Sequence, residues 1–281
     1  MTEYRIHLGF DMGIKNLAYC LIKHNISGDI EILRWDNINL LEDGKSSQDA
    51  NKCTACKSPA TWLSNTDMLR WCKACAFQTR VKKGVILKPV LKPLPCAITV
   101  KPLKELAINS KLLDIPAPNA KKQEYIEWAK LHYLFPWKPV KASSVSLGDI
   151  RRAIDKWLDG EMLASFSTAS LIRLENQPVM KGPTMKSVQM ILFTLLGHRL
   201  EYEFGWSGAI EFVHAGTKTK HIEGDTEEKT DAEAYKNRKM TAEIETANIL
   251  TKLGADEWLN FFKSRKKKSD LADAFLMALR P

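Results

Sequence analysis

The chain has 281 residues, a formal net charge of +9, a hydrophobic fraction of 44% and a charged fraction of 27%. These are the proportions of an ordinary globular protein, long enough for one large domain or for one domain plus a small module. No apolar run reaches membrane-spanning length, and Met1-Thr2-Glu3-Tyr4-Arg5 opens no signal-peptide apolar region, while the basic balance points to a polyanionic partner.

Taken in order, Tyr4–Asp11 alternates, with Ile6, Leu8 and Phe10 on one face and His7, Gly9 and Asp11 on the other, which predicts a strand. Gly13 supplies a tight turn into a return strand over Leu17–Lys23, and Ile30–Asp36 makes a third strand of a β-meander. From about 42 to 102 the character changes. Polar residues, cysteine pairs and a Lys/Pro-rich stretch read as an insertion within a main domain of 1–41 and 103–281. A short helix over Lys121–Tyr133 is followed by Pro136 and Pro139. Ser146 and Asp149 then form a capping box before an apolar stripe of Leu147, Ile150, Ile154 and Leu158. Ala169–Glu175 predicts a strand, Pro183 the first turn of a helix carrying Met185 to Leu196, and Ile210–His214 another strand. A charged helix over about 231–253 and a last helix over Asp270–Leu279 close the chain. Strands interleaved with helices after a meander make an α/β sheet of mixed strand direction.

Two of the predicted strands end in acids, Asp11 and Glu175, at the edge where ligands gather in open α/β sheets. Asp270 and Asp273 stand three apart and project from one helical face. Singly, an Asp before a Gly is a turn former and a helix-start Asp a cap. Together, acids converging from several elements suit divalent cations that hold a phosphodiester for in-line attack.

These residues carry a family resemblance. Gly9-Phe10-Asp11-Met12-Gly13-Ile14-Lys15-Asn16-Leu17-Ala18-Tyr19 resembles the first motif of RuvC-like Holliday junction resolvases, in the poxvirus-type and mitochondrial branch. Ile172-Arg173-Leu174-Glu175-Asn176-Gln177 is similar to the second motif, and Lys267-Lys268-Ser269-Asp270-Leu271-Ala272-Asp273-Ala274 to the last; Ser269 departs from relatives that carry a further acid there. The resemblance implies an RNase H-like, five-stranded mixed sheet flanked by helices. It further implies a homodimer that resolves four-way DNA junctions by paired symmetric nicks, in recombination, repair or concatemer resolution. Asp11, Glu175, Asp270 and Asp273 would then hold two Mg²⁺ or Mn²⁺ ions. Relatives place a lysine after the fifth strand, where Lys218 is the first choice for a catalytic helper and Lys220 the second.

Cys53-Thr-Ala-Cys56 and Cys72-Lys-Ala-Cys75 are two CxxC pairs fifteen residues apart. Four thiolates at that spacing suit a closed, structural zinc site rather than a secreted disulfide framework, and place the protein in a reducing compartment. Free buried thiols or a redox pair are the competing readings, and neither accounts for two copies. Lys57, Arg70, Lys73, Arg80, Lys82 and Lys83 lie around the cysteines, so this ribbon is expected to grip DNA arms or to steady a dimer. Arg265-Lys266-Lys267-Lys268 and Lys220, with Lys181 and Lys186 near a helix start, are further candidates for phosphate contact, against the reading of a solvated loop or a localisation signal. On the charged helix, which reads as partly exposed, Tyr235, Arg238 and Lys239 are those that could face a junction arm.

The leading expectation is thus a metal-dependent junction-resolving endonuclease carrying a zinc-ribbon insertion. The branch resembled places it in the cytoplasmic factories of a large DNA virus, with mitochondrion or nucleus as further compartments. The alternatives are a RuvC-type nuclease of broader specificity, or a non-catalytic zinc-ribbon DNA-binding protein on a nuclease scaffold.

Overall fold

The computed structural model describes residues 4–42, 45–46, 51–78, 89–180, 182–214 and 231–280. The chain divides into two units, Met1–Ala50 with Lys141–Pro281, and Asn51–Val140.

The larger unit opens with β1 (Tyr4–Asp11), β2 (Leu17–Asn25) and β3 (Ile30–Asn39), each antiparallel to the one before, and a two-residue strand β4 (Lys45–Ser46). Gly13 makes the first turn possible: a Cβ there would lie 2.8 Å from the Asn16 carbonyl carbon. The chain then leaves this sheet for the smaller unit.

There, β5 (Trp62–Leu63) and β6 (Arg70–Trp71) form a hairpin that leads into the one-turn helix α1 (Lys73–Ala76). After β7 (Lys92–Pro93) come α2 (Val100–Asn109), α3 (Lys122–His132) and β8 (Tyr133–Pro136). The unit ends at Val140, well beyond the boundary at 102 read from composition. Leu94, from the Lys/Pro-rich stretch, packs with Leu103, Ala107, Tyr125, Trp128, Ala129 and Phe135, so the segment after 102 shares this core and not that of the large sheet. Pro102 does not break α2 because it falls in the first turn, where a backbone N–H has no intrahelical acceptor to lose.

The chain returns through α4 (Leu147–Leu158), α5 (Glu161–Phe166), β9 (Leu171–Asn176), α6 (Pro183–Phe204) and β10 (Ala209–His214). It closes with α7 (Asp231–Lys252), α8 (Asp256–Ser264) and α9 (Lys268–Leu279). Ser146 caps α4, its hydroxyl accepting from the Asp149 amide at 3.1 Å, as the capping box predicts. Helices α1, α2, α5 and α8 have no counterpart in the sequence reading.

The sheet order is β10-β9-β1-β2-β3-β4, with β9 parallel to both β1 and β10. It is therefore a mixed sheet of five full strands plus a two-residue edge, flanked by helices. Ile6, Leu8 and Phe10 of β1 face a core filled by α4, α5 and α6. The other face, with Ala18, Cys20, Ile22, Ile32 and Trp35, packs on α7, α8 and α9. Phe10, Phe166, Phe262 and Phe275 are among the largest side chains removed from water, each contributing roughly 1.5–3 kcal/mol to stability. Among the described residues no helix is long and apolar enough to cross a membrane.

Candidate functional site

Strand register sets the first two acids side by side. Phe10 of β1 pairs with Leu174 of the parallel β9, so the next residue on each strand, Asp11 and Glu175, stands at the carboxyl end of the sheet. Alternation sends Asp11 to the face covered by α9, the face of His7 and Gly9.

Helix α9 runs antiparallel to β1 across that face. At its far end the Arg280 carbonyl lies 3.1 Å from His7 Nδ1 and accepts from Arg173 Nη1 at 2.7 Å, and the Ala278 carbonyl lies 3.0 Å from His24 Nε2. Its middle rests on Gly9, where a Cβ would collide with the Ala274 carbonyl and stand 2.7 Å from the Ala278 amide. Gly9 to Asp11 is roughly 7 Å along a strand. The same distance back along α9, at ~1.5 Å per residue, reaches the Asp270–Asp273 turn. The bare glycine thus admits the helix, and the helix carries its acid pair toward the end of the sheet where Asp11 and Glu175 lie.

Asp11 is 8% exposed, and Glu175, Asp270 and Asp273 are half-buried. Asp270 Oδ1 accepts from the Ser269 hydroxyl at 3.0 Å and pairs with Lys239 Nζ at 3.4 Å. Glu175 Oε2 accepts from Gln177 Nε2 at 2.8 Å. Lys186 of α6 donates to Asn176 Oδ1 at 2.9 Å, which brings a cation beside the end of β9, with its Nζ 5.2 Å from the centre of the Phe212 ring. Among the described residues no three of these carboxylates bring ligand oxygens within 4.8 Å of one another. Like charges crowd at a cost, which the Lys239 ammonium offsets for Asp270. Carboxylate oxygens are hard donors suited to Mg²⁺ or Mn²⁺, so the donor set fits those ions.

The sequence offers Lys239 to a DNA arm; the structure turns it to the acids instead. The signal for this is in the chain: Lys239, Ala242, Thr246 and Leu250 form a stripe at helical spacing, and the last three are fully buried. A lysine continuing a buried stripe has an interior partner. Lys218, Lys220 and Lys181 lie outside the described residues. Arg265 is taken into the fold, its guanidinium 3.1 Å from Asp36 Oδ1 and over the Phe261 ring, whereas Lys266 and Lys267 are exposed.

In the smaller unit, the sulfurs of Cys53, Cys56, Cys72 and Cys75 all lie within 4.8 Å of one another, and Cys56 and Cys72 are 3.6 Å apart. A tetrahedral Zn²⁺ with bonds of about 2.3 Å sets its sulfurs about 3.8 Å apart, so the thiols fit it. Two local structures make the cluster. Lys57, at φ 59°, turns the chain directly after Cys56, and Cys72 caps α1, its sulfur accepting from the Cys75 amide at 3.4 Å. A hydrogen bond from the Ser58 side chain brings the Cys56 thiol down to about 6, while burial raises Cys72 and Cys75. Four protein donors would leave no position open for water, so a zinc ion held here would be structural rather than catalytic.

No protein-family model matches the chain. An uncharacterised protein of Acanthamoeba polyphaga mimivirus is 23% identical over 314 residues, covering 96% of this chain and 72% of that protein. Among solved structures, the yeast mitochondrial Holliday junction resolvase Ydc2 is similar over 97% of this chain and 77% of that one, with a TM-score of 0.42 and 13% identity.

Proposed function

We propose that the larger unit is a divalent-metal-dependent endodeoxyribonuclease of the RuvC-like kind, resolving four-way DNA junctions by paired symmetric nicks as a homodimer. The observation that carries this is the arrangement of Asp11, Glu175, Asp270 and Asp273 about one end of the sheet, from three elements distant in the chain. An antiparallel meander followed by two parallel strands supports an RNase H-like fold for the unit, and the three matching motifs support the resolvase reading. The mimivirus relative fits a viral setting.

In this proposal the four carboxylates hold the cations. Bound Mg²⁺ or Mn²⁺ supplies an activated water and stabilises the leaving 3′ oxygen. Lys239, 3.4 Å from Asp270, would join Lys218 and Lys220 as a candidate for the basic group that stabilises the charge developing on the phosphate. Gln177 and Lys186 steady the end of β9.

Asp11→Asn tests the proposal. With magnesium on four-way junctions, duplexes and flaps, wild type is expected to cut junctions into 5′-phosphate nicks. The variant is expected to lose at least a thousandfold in rate while binding junctions as tightly. Equal cutting of all three substrates by wild type points to a general nuclease. A variant as active as wild type overturns the role given to Asp11 and its carboxylate neighbours, and a wild type without activity points to the non-catalytic DNA-binding alternative.

A further inference from the structure

We infer that the Asn51–Val140 unit is a gripping surface that holds double-stranded DNA by its phosphate backbone; the choice of DNA rests on the function proposed above. Of the 42 Lys and Arg and 33 Asp and Glu of the chain, this unit holds sixteen basic and five acidic residues, a net +11 in 90 residues. The remainder holds 26 basic against 28 acidic, a net −2. The whole cationic surplus therefore sits in one unit, and the unit with the acidic site has none. A near-neutral body whose candidate site is a group of carboxylates does not attract a polyanion by its overall charge, so the surplus in the other unit has a job to do.

Local structure does not consume that charge. Four of the five acids are engaged within the unit: Asp67 accepts from the Leu69 amide at 3.0 Å, Asp114 pairs with His132 at 2.7 Å, Glu124 accepts from the Lys121 amide at 2.8 Å at the start of α3, and Glu127 accepts from Gln123 at 3.0 Å. By contrast Lys92, Lys101, Lys122 and Lys138 are exposed and enter no ion pair among the described residues. They are spread over β7, α2, α3 and the stretch after β8, so no single helix cap or helix-face pairing accounts for them.

Two small cores and the four-thiol cluster hold the backbone beneath these lysines. A merely solubilising run of charge needs no such scaffold. Lysine heads on a fixed frame neutralise phosphates without reading bases, which suits recognition of branch shape rather than sequence.

The test is binding by the full chain to a 30-base-pair duplex and a four-way junction, by fluorescence anisotropy, without added magnesium and without chelator. Changing Lys92, Lys101, Lys122 and Lys138 together to Gln is expected to lower the slope of log affinity against log salt by about 2–4, near 0.9 for each phosphate no longer neutralised. Affinity at 0.1 M salt is expected to fall at least tenfold on both DNAs. The same four changed to Arg keep the wild-type slope, and each single Gln change lowers it by at most about 0.9. A zinc-replete Gln variant with the wild-type slope overturns the inference, as does a wild type that binds double-stranded RNA tenfold more tightly than DNA. A wild type that binds with this salt dependence yet never cuts junctions overturns the nuclease reading and leaves the gripping surface standing.

Discussion

Gly9 acts through the side chain it lacks. Any Cβ at this position meets the backbone of α9 between Ala274 and Ala278, which cannot yield as a flexible side chain would. Gly9→Ala must therefore lift the helix off β1, at a cost typical of overpacking, about 1–3 kcal/mol. The same displacement moves Asp270 and Asp273 relative to Asp11. We expect Tm to fall by several degrees, and cleavage measured well below the new Tm to fall at least tenfold. Full activity in a destabilised Gly9→Ala protein would show that the acid pair does not depend on this close approach. Lys239 makes a related point, since the cation paired with Asp270 comes from a helix whose stripe otherwise reads as plain core.

At the scale of elements, α9 is held at both ends by unlike means. Near its start the Leu271 carbonyl accepts from the Trp35 indole at 3.0 Å, and Trp35 stacks on Phe262 of α8. At its end, carbonyls that a helix leaves without partners are met by His7, His24 and Arg173. The two histidine rings lie 4.5 Å apart. Burial lowers both histidines below the usual 6.5; for His7 the neighbouring His24 and Arg173 lower it further, and for His24 Arg173 does, while the bonds to α9 carbonyls act the other way. Both rings thus take up a proton less readily in the fold than in the unfolded chain. Their contribution is fully present above pH 6.5 and is lost as pH falls through the lower folded values. Thermal melts between about pH 8 and 5 are expected to show Tm dropping below about pH 6.5, with the drop reduced in His7→Gln/His24→Gln. An equally steep drop in that double variant would assign the acid sensitivity to other groups.

At the scale of the whole molecule, charge and chemistry are separated between the two units. One has the sheet, the acids and a net charge near zero; the other has the thiols and the cationic surplus. The smaller unit has strands of two to four residues and cores of only a few side chains each, a size at which a metal commonly supplies the missing stability. Stripping zinc with a thiol-competing chelator is expected to remove hydrogen-exchange protection from amides around Cys53–Ala76, whereas β1, β2 and α9 stay protected. Retained protection around the cysteines would mean that the thiol cluster does not need a metal to hold its shape.

How far the chain could be read in advance followed the range of the forces involved. The alternation in Tyr4–Asp11, the capping box at Ser146, Pro183 at a helix start and the paired CxxC spacing are local patterns, and each of the elements they predict is present. Burying one face of a strand, or ligating one ion from two turns, imposes a period that neighbouring residues must obey. The end of the smaller unit was not legible, because Pro102 looks the same at the start of a helix as in a loop, and only the core that Leu103 and Ala107 share with Leu94 and Tyr125 distinguishes them. Nor was the partner of Lys239, which lies 31 residues away and comes within reach only once α7 and α9 cover the sheet. Residue types and their spacing were thus determined by the sequence alone. Which of them meet was decided by the tertiary structure, because contacts between distant segments depend on strand register and on the one close approach that Gly9 permits.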